Sequence, residues 1–320
     1  MNLCRSTLTA LIAAAALRCS GRAADPGGAS GTCRADGACL LLAPAGADSA
    51  QNPCYSPDNS KLLITLWHGG YNLPPAGLFS TPAAGGPATA VIDGTGTNVN
   101  VNLPGTCWNG ATGRITFASD RDGANEEIYT ARPDGGDLFR VTRHDGAAYI
   151  EPSFSPDGSE LVFEVSPGNA SGEIWKVRAS GAGGPTRLTS GAFDKQPNWS
   201  PTGSAILFQR FANDRWSIYT MNTDGTGLTR VTPAQDSSTD ASWSPRGDRI
   251  VYSGSPGGAA GANIFVAAAA GNAPPSRVTS QPGYDGAVTW SPDGRWLAFE
   301  SSANPNGTAP SSIWRIPAPQ

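Results

Sequence analysis

The sequence predicts an all-β fold, a six-bladed β-propeller whose N-terminal strand closes the last blade. Three observations lead there: a repeat of roughly 45 residues, strand-like alternation inside each copy, and turn-forming residues between the strands. Aromatic anchors stand at Tyr55, Trp108, Phe154, Trp199, Trp243 and Trp290, separated by 53, 46, 45, 44 and 47 residues. A period of that length, with strand-like segments, marks propeller blades. The 40 Gly and 27 Pro exceed a fifth of the 320 residues, which fits many turns. Length alone would suggest two domains, but a repeat array can be one unit at this size.

The anchor ends the first strand of each copy. The clearest copy is Pro152-Ser153-Phe154-Ser155-Pro156-Asp157-Gly158; it returns around Trp199, Trp243 and Trp290, in degraded form at Tyr55, and as the divergent Cys107-Trp108-Asn109-Gly110. A large ring at this place fills the gap between twisted neighbouring sheets. Ser-Pro-Asp-Gly is a type I turn, with Pro presetting the second position and Gly relieving the exit. The second strand is apolar on alternate positions, as in Leu161/Phe163, Ile206/Phe208, Ile250/Tyr252 and Leu297/Phe299. The third carries Ile-aromatic pairs such as Ile174-Trp175 and Ile218-Tyr219. The fourth reads Arg-Val/Leu-Thr at 140–142, 187–189, 230–232 and 277–279, β-branched with an exposed Arg that resists edge pairing. By this reading blades start near residues 52, 103, 151, 196, 240 and 287 and the propeller covers 33–320.

The last copy reaches Gln320 with three strands. Leu40-Leu41-Leu42, after Asp36-Gly37, has the character of the missing fourth. Residues 39–43 are therefore expected to pair with 312–316 and clasp the ring, so that no unsatisfied edge remains.

Residues 1–23 read as an export signal: a charged start, then the apolar run Leu8 to Leu17, too short to span a bilayer. Two endings stand. Cleavage can follow Ala23, or Cys19 can be the lipid-bearing first residue of a lipoprotein; residues 24–32 are a flexible tether in both cases. In that oxidising setting Cys33 and Cys39, flanking a turn, are expected to form a disulfide. Cys54 and Cys107 occupy equivalent places in adjacent blades, their side chains are expected to point the same way around the ring, and both are expected as buried free thiols.

The Pro-x-Trp-Ser-Pro-Asp-Gly line, the Ser119-Asp120-Arg121-Asp122-Gly123 hairpin and the Asp224-Gly225 turn before Arg-Val-Thr resemble the repeats of the TolB-like propeller family. The resemblance covers about residues 33–320 and extends to the propeller part; TolB's α/β domain has no counterpart before the first blade in this sequence. It implies a WD40-like repeat protein of the cell envelope, periplasmic or secreted, that binds other proteins.

The chemistry on offer is sparse. The formal net charge of −4 supplies no field for a polyanion, so nucleic acid is not a predicted partner. No Gly-x-Ser-x-Gly elbow occurs, and two His leave little room for a triad. His68 reads as a hairpin-loop residue. Asp120-Arg121-Asp122-Gly123 and Asp134-Gly135-Gly136-Asp137 lack the distal ligands of a calcium loop. The residue before each anchoring Pro should border the central channel: Asn52, Leu103, Glu151, Gln196, Asp240 and Ala287. Asn52, Glu151, Gln196 and Asp240, with His144, Asp194 and Asp285 on the entering loops, form the expected binding rim. The rim is expected to face solvent, with no basic residue near, and so to favour a cationic or hydroxyl-rich ligand: a peptide terminus or a glycan. The expected role is a monomeric, non-catalytic binding scaffold with no resident cofactor. The alternative is a carbohydrate-active lyase or hydrolase using a divalent cation at the channel mouth.

Overall fold

The computed structural model describes residues 32–93, 99–100, 107–123, 125–143, 146–168, 171–306 and 309–320. The expected signal region with Cys19, most of the expected tether, Leu103 and His144 lie outside them. Among the described residues helix is confined to one 3-10 turn, Pro256–Gly258. The remainder is antiparallel β-sheet, as the turn-rich composition requires.

Each repeat folds into a four-stranded meander. Repeat one uses Ser49–Tyr55, Lys61–Trp67, Ala76–Pro82 and Thr89–Ile92. Repeat five uses Ser237–Trp243, Arg249–Ser255, Asn263–Ala268 and the two-residue Ser276–Arg277. Repeats three and four form one eight-stranded sheet, joined by a single parallel pairing, Gly172 with Phe193. The three strands of repeat six continue into Cys39–Leu42, with Cys39 opposite Arg315, Leu40 opposite Trp314 and Leu42 opposite Ile313. The expected pairing of the N-terminal segment is therefore present.

The turn chemistry follows the sequence. In repeat three the amide of Gly158 donates to the carbonyl of Ser155 at 2.9 Å, and Gly158 takes a left-handed φ of 71°. The Ser155 hydroxyl donates to Asp157 at 2.6 Å and accepts from the amide of Glu160 at 3.0 Å, so the motif closes on itself. Repeat two, without the motif, substitutes Asn109, whose side-chain oxygen accepts from the amide of Thr112 at 2.8 Å.

The Arg-Val/Leu-Thr segment has a second duty that sequence reasoning missed. Thr142, Thr189, Thr232 and Thr279 each accept the amide N–H of the third-strand Ile at 2.9 or 3.0 Å. The fourth strand is short, so a hydroxyl takes up a donor that a longer strand would have paired.

Two expectations about the ends and cysteines meet the structure differently. Cys33 and Cys39 form the expected disulfide, and Arg34 within that loop reaches Asp285 at 2.9 and 3.1 Å and Ser301 at 3.0 Å. Cys54 and Cys107 are also bonded to each other, contrary to the expectation of two free thiols. The register is not at fault: Cys54 lies opposite Leu63, one residue before the anchor pair Tyr55–Leu62, as Ser153 lies opposite Val162. What differs is direction. The side chain before an anchor leans across to the next repeat: the Ser153 hydroxyl accepts from the amide of Trp199 at 3.0 Å, and the Asn198 amide reaches the carbonyl of Ala241 at 3.5 Å. Where both positions are Cys, that lean brings the sulfurs together.

Candidate functional site

The innermost strands carry the candidate residues. At the residue before Pro the backbone turns left-handed: Asn52 (φ 55°), Glu151 (56°), Gln196 (53°), Asp240 (55°) and Ala287 (47°). At the same place the pairing with the second strand slips by one residue, so two inner residues face one partner. This is a β-bulge, repeated from copy to copy, and it aims one side chain per repeat off the regular pleat. A left-handed Glu, Gln or Ala costs about 1 kcal/mol or more, so the surroundings must hold it.

Second-strand side chains do so at two of these positions. Gln209 accepts the amide N–H of Asp240 at 3.1 Å, and Glu300 accepts that of Asn52 at 3.3 Å, each from the neighbouring repeat. Ser253 donates to the carbonyl of Asp285 at 2.8 Å. The bulge position and its support are thus an inter-repeat joint.

Of the described rim residues, Asn52, Asp194, Asp240 and Asp285 are buried, and Glu151 and Gln196 are half-buried. Asp240 is 5% exposed, and Glu151 has a carboxylate oxygen closed off from solvent. Burial pushes both carboxyls above their ordinary range. The expected absence of a basic neighbour also fails, since Lys195 lies 3.6 Å from Glu164. Asp194 and Asp285 stand inside strands Phe193–Trp199 and Tyr284–Trp290 rather than on entering loops, both fully buried. Each is held by an arginine: Arg210 reaches Asp194 at 2.6 and 2.8 Å, and Arg34 grips Asp285. A buried carboxylate needs such a partner, which explains why these two are not free to meet a ligand. Among the described residues no three His, Cys, Asp or Glu side chains are placed to hold a metal ion.

Two further residues, which the motif reading did not single out, complete this polar layer. Tyr71, between the second and third strands of repeat one, is hydrogen-bonded to Glu300 at 3.0 Å. Tyr284 is hydrogen-bonded to Asp240 at 3.0 Å. Tyr284 can lie back along its strand because residue 286 is Gly; a Cβ there would collide with its hydroxyl. The Gly two residues after an aromatic was the legible signal.

The open concavity is at the other end of the innermost strands. A cavity of about 350 Å³ is lined by all six anchors, Tyr55, Trp108, Phe154, Trp199, Trp243 and Trp290, by the Pro of five turns, and by Cys54, Asn198, Ser242 and Thr289 between them. It contains no Asp, Glu, Lys, Arg or His. None of the described rim residues lines it. Its chemistry is therefore apolar contact with a few neutral hydrogen-bonding groups, the composition of a binding pocket.

The comparisons agree with this architecture. The family model described as the TolB beta propeller domain matches residues 45–247. A protein TolB homolog of Chlorobium luteolum is 31% identical over 139 residues, 43% of this chain and 30% of that protein. A protein TolB homolog of Chlorobium chlorochromatii is 30% identical over 248 residues, 75% of this chain and 53% of that protein. The chain thus spans about a third to a half of the length of these relatives. Among solved structures, a TolB of Agrobacterium tumefaciens superposes with a TM-score of 0.58 at 18% identity, over 85% of this chain and 91% of that one. An oligogalacturonate lyase in complex with manganese superposes with a TM-score of 0.58 at 16% identity, over 85% and 77%. These two likenesses concern the fold. The matched family model spans well over half of the sequence, and the chain belongs to the TolB beta propeller domain family.

Proposed function

We propose that this protein is an exported, non-catalytic scaffold whose propeller docks a protein partner in the aromatic funnel at the turn end of its axis. The carrying observation is the funnel itself: six anchors from six repeats line one cavity whose lining has no Asp, Glu, Lys, Arg or His. Acid–base catalysis needs a group that titrates near the working pH within reach of the substrate, and the funnel's one phenol, Tyr55, is buried and pushed further above its already high ordinary value. Apolar and aromatic walls with a few neutral polar groups suit the apolar anchor of a partner protein. The six repeats are read as six blades closed into a ring. The packing of Ser49–Tyr55 against Tyr284–Trp290, and the pairing of Cys39–Leu42 with Ser312–Pro317, support that closure. The export signal and two disulfides support a periplasmic or secreted site, with a membrane anchor only if Cys19 is lipidated. The fold likeness to a lyase is not accompanied by a described metal-binding group, and the lyase or hydrolase reading has no observation of its own.

The test is capture of a partner from envelope extract by the mature chain. Ser242→Arg, which places a long cation in the funnel wall, should abolish capture. Arg230→Ala on an outer strand should leave it intact. A partner held equally by the parent and by a folded Ser242→Arg chain would place docking elsewhere. Intact mass of the exported protein separates a start at Ala24 from a lipid-bearing Cys19.

A further inference from the structure

A second recess, of about 420 Å³, opens between repeats one and two. One wall is the turn at 56–61 that follows the first strand of repeat one; the other is Pro133 and Asp134 of repeat two. Pro57 and Trp108 line both this groove and the funnel, so the groove leads into the funnel. Its position follows from the turn that departs from the repeat. Five repeats place a proline two residues after the anchor, and repeat two has Gly110 there. Gly110 supplies no ring to cover the indole. Trp108 is half-buried, whereas the other five anchors are buried.

The hydrogen-bonding capacity left over in the groove is of one kind. Trp199 and Trp243 spend their indole N–H groups on the carbonyls of Gly203 and Asn198, at 3.4 and 3.1 Å. The Trp108 N–H has no acceptor among the described residues and is not closed off from solvent. Lys176 and Lys195 are each paired with a glutamate, at 3.5 and 3.6 Å, while the exposed Lys61 has no such partner among the described residues. The carboxylates of the groove are engaged. Asp58 accepts from the hydroxyls of Ser56 and Ser60 at 2.6 and 2.8 Å and from the Ser60 amide at 3.0 Å. Asp134 accepts from the Gly136 amide at 2.9 Å and from Arg132 at 3.3 Å. Two free donors, an indole face and two prolines remain.

A proline-rich segment is the complement of that set. Its carbonyls are free of internal hydrogen bonds, and its prolines bring no N–H that would need an acceptor. Its polyproline II shape exists before binding, so little order is imposed on it. Lys61 and Arg132 balance Asp58 and Asp134, which leaves no net charge to demand a charged ligand.

We propose that this groove binds a proline-rich segment of the partner protein in polyproline II form. A proline ring lies against Trp108, backbone carbonyls accept from the Trp108 N–H and the Lys61 ammonium, and one end of the segment enters the funnel. Only that last contact rests on the funnel being the docking site.

The experiment titrates hexaproline into the mature chain carrying isotope-labelled tryptophan, with the Trp108 indole resonance identified from the spectrum of Trp108→Phe. That resonance should shift progressively to saturation, and a glycine–serine hexapeptide should leave it in place. By anisotropy of fluorescein-labelled hexaproline, Lys61→Ala should weaken binding about threefold and Trp108→Phe about tenfold. Ser242 does not line the groove, so a folded Ser242→Arg chain, which tests the funnel, should bind hexaproline as the parent does. An unmoved Trp108 resonance in the parent overturns the proposal, as does an equal shift with the glycine–serine peptide, parent-like affinity in Lys61→Ala, or loss of hexaproline binding in Ser242→Arg. If Trp108→Phe does not fold, Lys61→Ala carries the test, since Lys61 is exposed.

Discussion

The Cys54–Cys107 bond is expected to be a principal source of stability, because repeat two is the least regular copy. Its inner segment is joined to the second strand by Val99–Asn100 and by the isolated pairing of Trp108 with Ile115. The disulfide ties that segment to the full inner strand Ser49–Tyr55 across a sequence separation of 53. Cross-linking a loop of that size removes unfolded-chain entropy worth about 4 kcal/mol at 25 °C in the loop-closure treatment. Both sulfurs lie in a buried cluster with Leu63, Leu78, Ile115 and Phe117, so replacement by the slightly smaller Ala adds a modest cavity cost, about 1 kcal/mol. The double variant Cys54→Ala/Cys107→Ala should therefore lose roughly 4–5 kcal/mol relative to the oxidised parent. Urea unfolding followed by tryptophan fluorescence reads this as a lower midpoint with little change in slope on the native side. Adding reductant should lower the parent and leave the variant unmoved at this bond; the Cys33–Cys39 contribution is common to both. A double variant as stable as the oxidised parent would refute the staple argument and return the two thiols to the role of packing residues.

Other outcomes follow from the same geometry. Glu300, at about 8 in the folded chain against an ordinary value near 4.5, binds more protons folded than unfolded between those limits. Stability should therefore fall as pH rises across that window, by an amount on the order of 5 kcal/mol, and Glu300→Gln should flatten the profile; equal midpoints for the parent at pH 5 and pH 9 would contradict it. Arg34→Ala leaves Asp285 buried without its cation and should cost about 3–5 kcal/mol by thermal melting, with Asp285→Asn in the same background recovering part of the loss. Thr189→Val keeps the shape but removes the acceptor for the amide of Ile174, and should cost about 1–3 kcal/mol and speed exchange of that amide. Glu151→Ala with Asp240→Ala, which a solvent-facing rim would tolerate, is expected to lower the melting temperature, since Asp240 is buried and hydrogen-bonded to Tyr284 of the next repeat and a Glu151 carboxylate oxygen is closed off from solvent.

Much of this protein was legible one residue at a time. The anchor spacing, the Ser-Pro-Asp-Gly turns and the alternation in second strands specify a chain of antiparallel meanders, because turn type and two-residue periodicity are local properties. The pairing of Cys39–Leu42 with the last repeat was legible too, since a missing strand and an extra strand can be counted. Direction was not. The sequence places Asp194, Asp285, Glu151 and Asp240 near the inner strand, but Arg210, Arg34, Lys195 and Tyr284 come to them from other strands or other repeats. Whether a carboxylate is a free rim group or a buried joint depends on those partners. Cys54 and Cys107 make the same point, since equivalence in the repeat says nothing of a lean toward the neighbour. Alone, the sequence determined the strands, the turns and the order of repeats, which short-range backbone preferences dictate. Only the tertiary structure decided that Asp194 and Asp285 are buried against arginines and that the six anchors line one cavity, because burial and charge pairing are set by residues tens to hundreds of positions apart.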